Sequence, residues 1–336
     1  MSEITTTDII AIVFDFDDTL MPDSTSKLLR QDSIKPEEFW PAAGALIKEG
    51  YDQPCAYLRL LLDNVGPGKP FGELKNSDLR AFGASLEPDF FAGLPDFFQD
   101  LRDQIAQNFR NIQIEFYIVS GGLQEIMQGN PTVRKYFAGI HACQLGEDQS
   151  GAVRYIKRSV TFTEKTRYLF EINKGVKQAE SALNPFLVNE DIPQDKRRIP
   201  FKNIVYVGDG MTDIPCFSTV KLFGGQAFGV FDPSNPEKTK QAMQKFLVPR
   251  RVIGMYEPHY GRSHALGALL RMWITNRAAE IQVNSAGGGK ATRRRKDCPP
   301  ELSKEGTSLS AHSRSPRENC CLKQHSQRWD RNRSHT

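Results

Sequence analysis

Two carboxylates separated by one residue follow the first strongly apolar segment of the chain. Asp15 and Asp17 stand in the segment DFDDTL at positions 15–20, directly after an apolar run at positions 9–14. Alternate residues at an extended chain end face the same side, so both carboxylates are expected to share one pocket. A divalent cation would hold Asp15 ionised as a nucleophile, while Asp17 exchanges a proton with a leaving group. Two aspartates with this spacing, taken alone, could also cap a following helix. Other motifs are therefore needed to distinguish a catalytic site from a helix cap.

A second acidic motif, GDGMTD at positions 208–213, follows another apolar run. Its glycines allow a sharp turn, and Asp209 and Asp213 would converge on one metal if a helix begins there. Ligands that are all oxygens suit Mg²⁺, whereas Zn²⁺ would favour nearby His or Cys. The second motif therefore predicts a magnesium site at Asp209 and Asp213, and its occurrence together with the first motif makes a purely structural loop less favoured.

A phosphate group would need hydrogen-bond donors and a positive charge in the same pocket. Ser120, Gly121 and Gly122 offer a hydroxyl and unhindered backbone N–H groups before a predicted helix that begins near Leu123. Lys165, near the start of another predicted helix at 163–173, would neutralise the nucleophile and the transferred phosphoryl group. Lys174 is the competing candidate for this role.

Several short apolar runs must position these residues. The runs at 9–14, 114–119, 204–207 and 227–231 predict buried parallel strands, and weaker strand signals lie at 139–145 and 153–155. Helical patterns alternate with them, which indicates an α/β fold with an open, doubly wound parallel sheet.

The domain organisation follows from where strand signals are missing. Positions 21–110 show helical spacing interrupted by a Gly-Pro-rich break at 66–70, which predicts an inserted helical cap able to act as a lid. Residues 1–20 and 111–279 are expected to form the α/β core, with a last helix at 266–277. Residues 280–336 are rich in Gly, Ser and Arg without periodicity, so we expect a disordered basic tail with no catalytic role.

Composition narrows the classes of partner. The net charge of +4 is small beside 44 basic and 40 acidic residues, so nucleic acid is not the expected partner. No apolar run reaches the roughly 20 residues that cross a bilayer, and the six cysteines form no CxxC pair, so a reduced, cytoplasmic protein without a membrane anchor is expected. The sequence does not determine the oligomeric state.

The order of the motifs resembles the haloacid-dehalogenase-like (HAD) superfamily. DFDDTL matches its first motif, IVSGG its second, Lys165 its third and GDGMTD its fourth, over about residues 8–235. The insertion after the first motif resembles the helical cap of the phosphoserine-phosphatase-like branch, which implies a mobile lid over a Rossmann-like core.

The resemblance implies a role for each motif residue. Asp15 would attack a small-molecule phosphate monoester and form an aspartyl-phosphate, and Asp17 would protonate the leaving oxygen and later activate water. Mg²⁺ would be held by Asp15, the backbone carbonyl of Asp17, and Asp209, with Asp213 as a further ligand or an orienting group. Ser120, Gly121, Gly122 and Lys165 would bind the phosphoryl oxygens, and Thr19 would support the first loop.

Three other functions remain open at this point. A phosphomutase of the same superfamily would share the core and differ in how its cap excludes water. DFDDTL also resembles the first motif of phosphatases that act on polymerase tails, but those differ in the insertion and the fourth motif. A non-catalytic binding protein on the same fold is the third alternative, although it would not need this acidic cluster.

Overall fold

A computed structural model describes residues 8–291 of the chain, and within them it contains one seven-stranded sheet. The strands are β1 (Asp8–Phe14), β2 (Ile112–Leu123), β3 (Phe137–Glu147), β4 (Val153–Arg158), β5 (Ile204–Gly208), β6 (Gln226–Val230) and β7 (Met255–Tyr256). Their order is β4-β3-β2-β1-β5-β6-β7, and the β3–β4 pair is antiparallel while the others are parallel. The predicted α/β fold with a mostly parallel, doubly wound sheet is confirmed.

Strand β1 lies at the centre of the sheet, and this position brings the acidic motifs together. Phe14, its last residue, pairs with Ile118 of β2 on one side and with Val207 of β5 on the other. Asp15 and Asp209 therefore directly follow the carboxyl ends of β1 and β5, and Ser120 lies near the carboxyl end of the adjacent parallel strand β2. Strands β2 and β3 are added on one side of β1, and β5 and β6 on the other, so the strand order reverses at β1. Such a switch point is where open α/β sheets bind ligands.

Twelve helices accompany the sheet in the described part of the chain. They are α1 (Ser24–Gln31), α2 (Pro36–Lys48), α3 (Gln53–Asp63), α4 (Asn76–Ser85), α5 (Asp96–Asn108), α6 (Gln124–Gly129), α7 (Pro131–Tyr136), α8 (Phe162–Lys174), α9 (Gln178–Leu183), α10 (Ile214–Leu222), α11 (Pro236–Ala242) and α12 (Ala265–Ala291). Helices α1–α5 occupy the segment between β1 and β2, and no strand interrupts them, so this segment is helical as predicted.

Helices α4 and α5, the last two of the helical segment, pack against the α/β core: α5 contacts the sheet and α4 contacts helix α6. Phe98 of α5 is fully buried, and its ring lies edge-on to Phe14 of β1 and Phe116 of β2. Gly83 of α4 lies so close to the backbone of Ile126 that a Cβ atom there would be 1.8 Å from its carbonyl oxygen. Helices α1–α3 are therefore the ones available to cover the strand ends, and the described residues up to Gly289 form one compact unit.

Two predicted boundaries differ from the structure. Strand β2 continues through Ser120, Gly121 and Gly122, and α6 begins after them at Gln124, because the pairing with β3 resumes at Leu123 after a register shift. The short strand β7 was not predicted, since two residues carry no detectable alternation.

The carboxyl-terminal helix is longer than predicted. Helix α12 runs to Ala291 instead of ending at Arg277, because Ala278 and Ile281 continue its buried face. The predicted disordered tail at 280–336 therefore begins inside a helix, and the rest of that prediction lies outside the described residues. Within residues 8–291, no helix is both long enough and apolar enough to span a membrane.

Candidate active site

A buried lysine joins the first and fourth motifs. Nζ of Lys165 donates to Oδ2 of Asp15 at 2.8 Å and to Oδ1 of Asp213 at 2.7 Å. Lys165 lies in the first turn of α8, whose amino end is capped by the hydroxyl of Thr161. Burial by itself lowers the pKa of Lys165, but the carboxylates of Asp15 and Asp213 outweigh that effect and raise it, so the ammonium stays charged.

Asp213 is fixed from three directions. Besides Lys165, the hydroxyl of Tyr206 donates to its Oδ1 at 2.7 Å and the backbone N–H of Gly210 donates to its Oδ2 at 2.9 Å. Its carboxylate is fully buried, and burial raises its pKa. Tyr206 was not predicted as a site residue, although it is the one residue of β5 with a side-chain hydroxyl.

Asp17 is held by the backbone at the start of α1. Its Oδ1 accepts a hydrogen bond from the N–H of Ser24 at 2.7 Å. Burial, together with the charge of Asp23, raises the pKa of Asp17 to about 8. A carboxyl group with this pKa is mostly protonated at neutral pH in the metal-free protein. Asp23 was not among the predicted site residues, because its place in the sequence indicates only a cap of α1.

Asp209 completes a group of three carboxylates. Oxygens of Asp15, Asp209 and Asp213 all lie within 4.8 Å of one another. The hydroxyl of Thr19 reaches Oδ1 of Asp209 at 3.5 Å, which is a long hydrogen bond. Burial, followed by the charges of Asp15 and Asp213, raises the pKa of Asp209 well above its ordinary value.

The charges of this group fit a divalent cation. Lys165 supplies one positive charge to a group of three carboxylates, of which Asp15 and Asp213 are buried and Asp209 is half-buried, so a cation beside Asp209 would favour ionisation of all three. All donor atoms are carboxylate oxygens, which suits Mg²⁺. The carboxylate of Asp17 is not part of this group; its backbone carbonyl is the ligand that the resemblance implies.

The Ser-Gly-Gly segment lies beside Asp17 and is packed tightly. The hydroxyl of Ser120 accepts from the N–H of Gly122 at 3.1 Å, and the carbonyl of Gly121 accepts from the hydroxyl of Tyr57 at 2.8 Å. A Cβ atom on Gly122 would lie 2.6 Å from Oδ2 of Asp17. Tyr57 of α3 thus connects the helical insertion to this segment, a contact that helical spacing alone does not reveal.

Two other candidate residues, Thr19 and Lys174, lie outside the cavity that the next paragraph describes. Thr19 is fully buried, does not line the cavity described below, and accepts a hydrogen bond from Tyr260 through its carbonyl at 2.7 Å. The ammonium of Lys174 donates to the carbonyls of Val188 and Glu190. Thr19 therefore supports Asp209 and the first loop, and Lys165 is the lysine that contacts Asp15.

A cavity of about 500 Å³ opens directly over these groups. The predicted residues that line it are Asp15, Asp17, Ser120, Gly121, Gly122, Lys165 and Asp209. Its other wall comes from α2 and α3 of the helical insertion, including Trp40 and Tyr57. The arrangement places the ion pair of Asp15 and Lys165, the carboxyl group of Asp17 and the carboxylate of Asp209 around one space large enough for a small molecule.

Comparison with known proteins gives one clear relative by sequence and several by structure. A protein of Borreliella burgdorferi (strain ATCC 35210 / DSM 4680 / CIP 102532 / B31), described as uncharacterized, is 32% identical over 233 residues, which are 62% of this chain and 77% of that protein. No protein-family model matches the chain.

Two solved structures represent the structural likeness. A HAD-family hydrolase from Salmonella enterica subsp. enterica serovar Typhi is 14% identical with a TM-score of 0.48, over 76% of this chain and 68% of that one. A probable phosphoserine phosphatase from Vibrio cholerae is 13% identical with a TM-score of 0.48, over 83% and 67%. By its identity to the Borreliella burgdorferi protein and the share of that protein it covers, this chain belongs to the same protein family.

Proposed function

We propose that this protein is a magnesium-dependent phosphatase that hydrolyses a phosphate monoester through an aspartyl-phosphate at Asp15. The observation that carries the proposal is the contact of Asp15 with the ammonium of Lys165 at 2.8 Å, at the floor of a cavity that is also lined by Asp17. Burial raises the pKa of Asp17 to about 8, which suits a proton donor. A nucleophilic carboxylate needs a neighbouring positive charge to stay ionised, and a leaving alcohol needs a proton donor.

The first half of the reaction follows from these positions. A carboxylate oxygen of Asp15 attacks phosphorus, and the bond between phosphorus and the ester oxygen breaks. Asp17 gives its proton to that oxygen, so the product leaves as a neutral alcohol. Lys165 compensates the negative charge of the phosphoryl oxygens, and the hydroxyl of Ser120, which accepts from the N–H of Gly122, can donate to them.

The second half returns the enzyme to its starting state. Asp17, now ionised, accepts a proton from a water molecule that attacks the phosphorus of the aspartyl-phosphate. The bond between phosphorus and Asp15 breaks, inorganic phosphate is released, and both aspartates recover their original protonation. Asp213 touches no reacting atom in this scheme; through Tyr206 and Gly210 it positions Lys165.

Magnesium would be held by Asp15 and Asp209, with Asp213 as a further ligand or an orienting group, and would supply positive charge to the phosphate and the nucleophile. The proposal rests on the carboxylate group described above, whose buried negative charge exceeds the charge of Lys165. In this scheme Asp17 performs the proton transfers, so substitutions of the protein residues test those steps separately from metal binding.

Phosphate release from a panel of phosphate monoesters, measured with Mg²⁺ and with EDTA, tests the proposal. The wild type is compared with Asp15→Asn, which removes the nucleophile and one buried charge while keeping the shape of the side chain. We expect Mg²⁺-dependent release that falls below detection in the variant, with little change in thermal stability. Asp63→Asn, on the exposed side of α3, is the matched control.

Two results would contradict the proposal. Full activity in Asp15→Asn would remove Asp15 as nucleophile. Absence of release from every compound, including p-nitrophenyl phosphate, would contradict a phosphatase and favour the phosphomutase or the non-catalytic binding protein. Trapping with beryllium fluoride separates these two, because it should stabilise an enzyme that forms an aspartyl-phosphate and leave a binding protein unchanged.

A further inference from the structure

Two aromatic side chains of the helical insertion are bonded to segments at the cavity floor. Trp40 of α2 and Tyr57 of α3 both line the cavity, and the centres of their rings lie 5.8 Å apart. Trp40 donates a hydrogen bond to the first turn of α1, and Tyr57 donates one to the Ser-Gly-Gly segment. The chain that follows β1 and the end of β2 are therefore both attached to this aromatic pair.

The hydrogen bond of Tyr57 fixes the plane of one peptide group. The hydroxyl of this buried tyrosine donates to the carbonyl of Gly121 at 2.8 Å. Because the peptide between Gly121 and Gly122 is planar, the direction of that carbonyl also sets the direction of the Gly122 N–H. This N–H donates to Oγ of Ser120 at 3.1 Å, so the hydroxyl of Ser120 can turn its own hydrogen towards a phosphate oxygen. Tyr57 therefore orients the phosphate-binding hydroxyl without touching it.

The hydrogen bond of Trp40 reaches Asp17 through the start of α1. The indole N–H of Trp40 donates to Oγ of Ser26 at 2.8 Å, and that hydroxyl donates to Oδ2 of Asp23. Oδ1 of Asp23 accepts from the backbone N–H of Ser26 at 3.1 Å, which forms the cap of α1. The same turn begins with Ser24, whose N–H donates to Oδ1 of Asp17 at 2.7 Å. Trp40 therefore stabilises the turn that holds the carboxyl group of Asp17.

Resting on the proposed phosphatase activity, we propose that Trp40 and Tyr57 are positioning residues with separate tasks. Tyr57 holds the Ser-Gly-Gly segment in the orientation that binds the phosphate. Trp40, through Ser26 and Asp23, holds Asp17 in the orientation that gives a proton to the leaving oxygen. Loss of one hydrogen bond should therefore weaken phosphate binding, and loss of the other should weaken proton donation.

Two esters with the same ring, p-nitrophenyl phosphate and phenyl phosphate, separate these tasks. Phenolate is the more basic leaving group, so its departure depends more strongly on a proton from Asp17. The value of kcat/KM includes the departure of the phenol, so the ratio of kcat/KM for the two esters measures proton donation. Both values come from one protein sample, which makes the ratio independent of the fraction that is folded. Competitive inhibition by inorganic phosphate measures the phosphate site separately.

Trp40→Phe keeps an aromatic ring and removes the N–H group. We expect the ratio of kcat/KM for p-nitrophenyl phosphate over phenyl phosphate to rise by about tenfold, because a displaced proton donor slows the more basic leaving group. The inhibition constant of inorganic phosphate should stay unchanged. Ser26→Ala interrupts the same chain and should give the same rise, with no further rise in the double variant. Trp273→Phe, on α12 and outside the cavity, is the matched control and should leave the ratio unchanged.

Tyr57→Phe removes the hydroxyl alone and should give the opposite pattern. We expect the inhibition constant of inorganic phosphate to rise by about fivefold, the effect of one lost hydrogen bond. The kcat/KM values of both esters should fall by a similar factor, so their ratio stays that of the wild type. Tyr155→Phe, on β4 and outside the cavity, is the matched control and should change neither quantity.

The possible failures are distinguishable. Wild-type release from both esters, with an unchanged ratio in Trp40→Phe and Ser26→Ala or an unchanged inhibition constant in Tyr57→Phe, overturns the inference and leaves the proposed phosphatase standing. A change of both quantities in every one of these variants would show a general distortion of the cavity, and it overturns the separate tasks as well. No release from either ester by the wild type overturns both the proposed function and the inference that rests on it.

Discussion

Lys165 and Asp213 are joined by a hydrogen bond of 2.7 Å between Nζ and Oδ1, with both side chains buried. The same ammonium donates to Asp15, so one residue of α8 partly compensates the charges of two carboxylates, one following β1 and one following β5. In the proposed reaction, a positive charge in this position lowers the negative charge that an incoming phosphate must meet.

Replacing Lys165 by methionine should reduce kcat by about 100-fold or more, because the positive charge at the nucleophile is lost while the side-chain volume is kept. It should also destabilise the protein by about 3–5 kcal/mol, since Asp15 and Asp213 would remain buried without their partner. Lys174→Met is the matched control, because that ammonium bonds to carbonyls away from the cavity. Normal activity in Lys165→Met together with a loss in Lys174→Met would assign the role to Lys174.

The rate of hydrolysis should depend on the protonation of Asp17. Burial, with a contribution from Asp23, raises its pKa to about 8, so kcat/KM is expected to fall as the pH rises above that value. Asp23→Asn removes the neighbouring charge but keeps a side chain that can cap α1, and should move this fall to lower pH. An unchanged pH profile in Asp23→Asn would contradict this origin of the shift.

The stability of the metal-free protein gives an independent check on Asp17. An aspartate with a pKa of about 8 in the folded state, against 3.8 ordinarily, binds its proton more tightly when folded. The stabilisation is complete at low pH and is lost as the pH rises from about 4 towards 8. Thermal melts in EDTA should show a weaker pH dependence for Asp17→Asn than for the wild type.

Magnesium should stabilise the folded protein even without substrate. A cation at Asp15, Asp209 and Asp213 relieves the repulsion between buried carboxylates, and at 100 times its Kd it would add about 2.7 kcal/mol. We expect the melting temperature to rise by several degrees with Mg²⁺. Asp209→Asn should lose most of this rise, whereas Asp63→Asn should retain it. An equal rise in both variants would place the metal elsewhere.

Gly122 should not tolerate a side chain. A Cβ atom there would lie 2.6 Å from Oδ2 of Asp17, and Asp17 cannot move freely because Ser24 holds its other oxygen. Gly122→Ala should therefore displace the proton donor and reduce kcat by about 100-fold. Gly44→Ala in α2, where a Cβ atom would meet nothing within 4 Å, should not lower the melting temperature. Normal kcat in Gly122→Ala would show that Asp17 adapts.

The sequence alone determined the type of fold and the main residues of the floor. Apolar runs predicted the central strands, and parallel strands bring their carboxyl ends to one edge, so Asp15, Ser120 and Asp209 were expected near each other. The sequence predicted a loop at the Ser-Gly-Gly segment, which lies within β2, and it predicted that the last helix ends at Arg277, whereas α12 ends at Ala291. Periodicity locates elements better than it locates their ends.

Only the tertiary structure decided how the site is connected. Lys165 and Lys174 carry the same charge in the same helix, and which of them reaches Asp15 depends on how α8 packs against the sheet. The contacts of Tyr57 with Gly121 and of Tyr206 with Asp213 join elements that no local pattern relates. The charge and apolarity of the cavity wall depend in the same way on side chains from several elements, and their relative positions are fixed by packing and not by spacing along the chain.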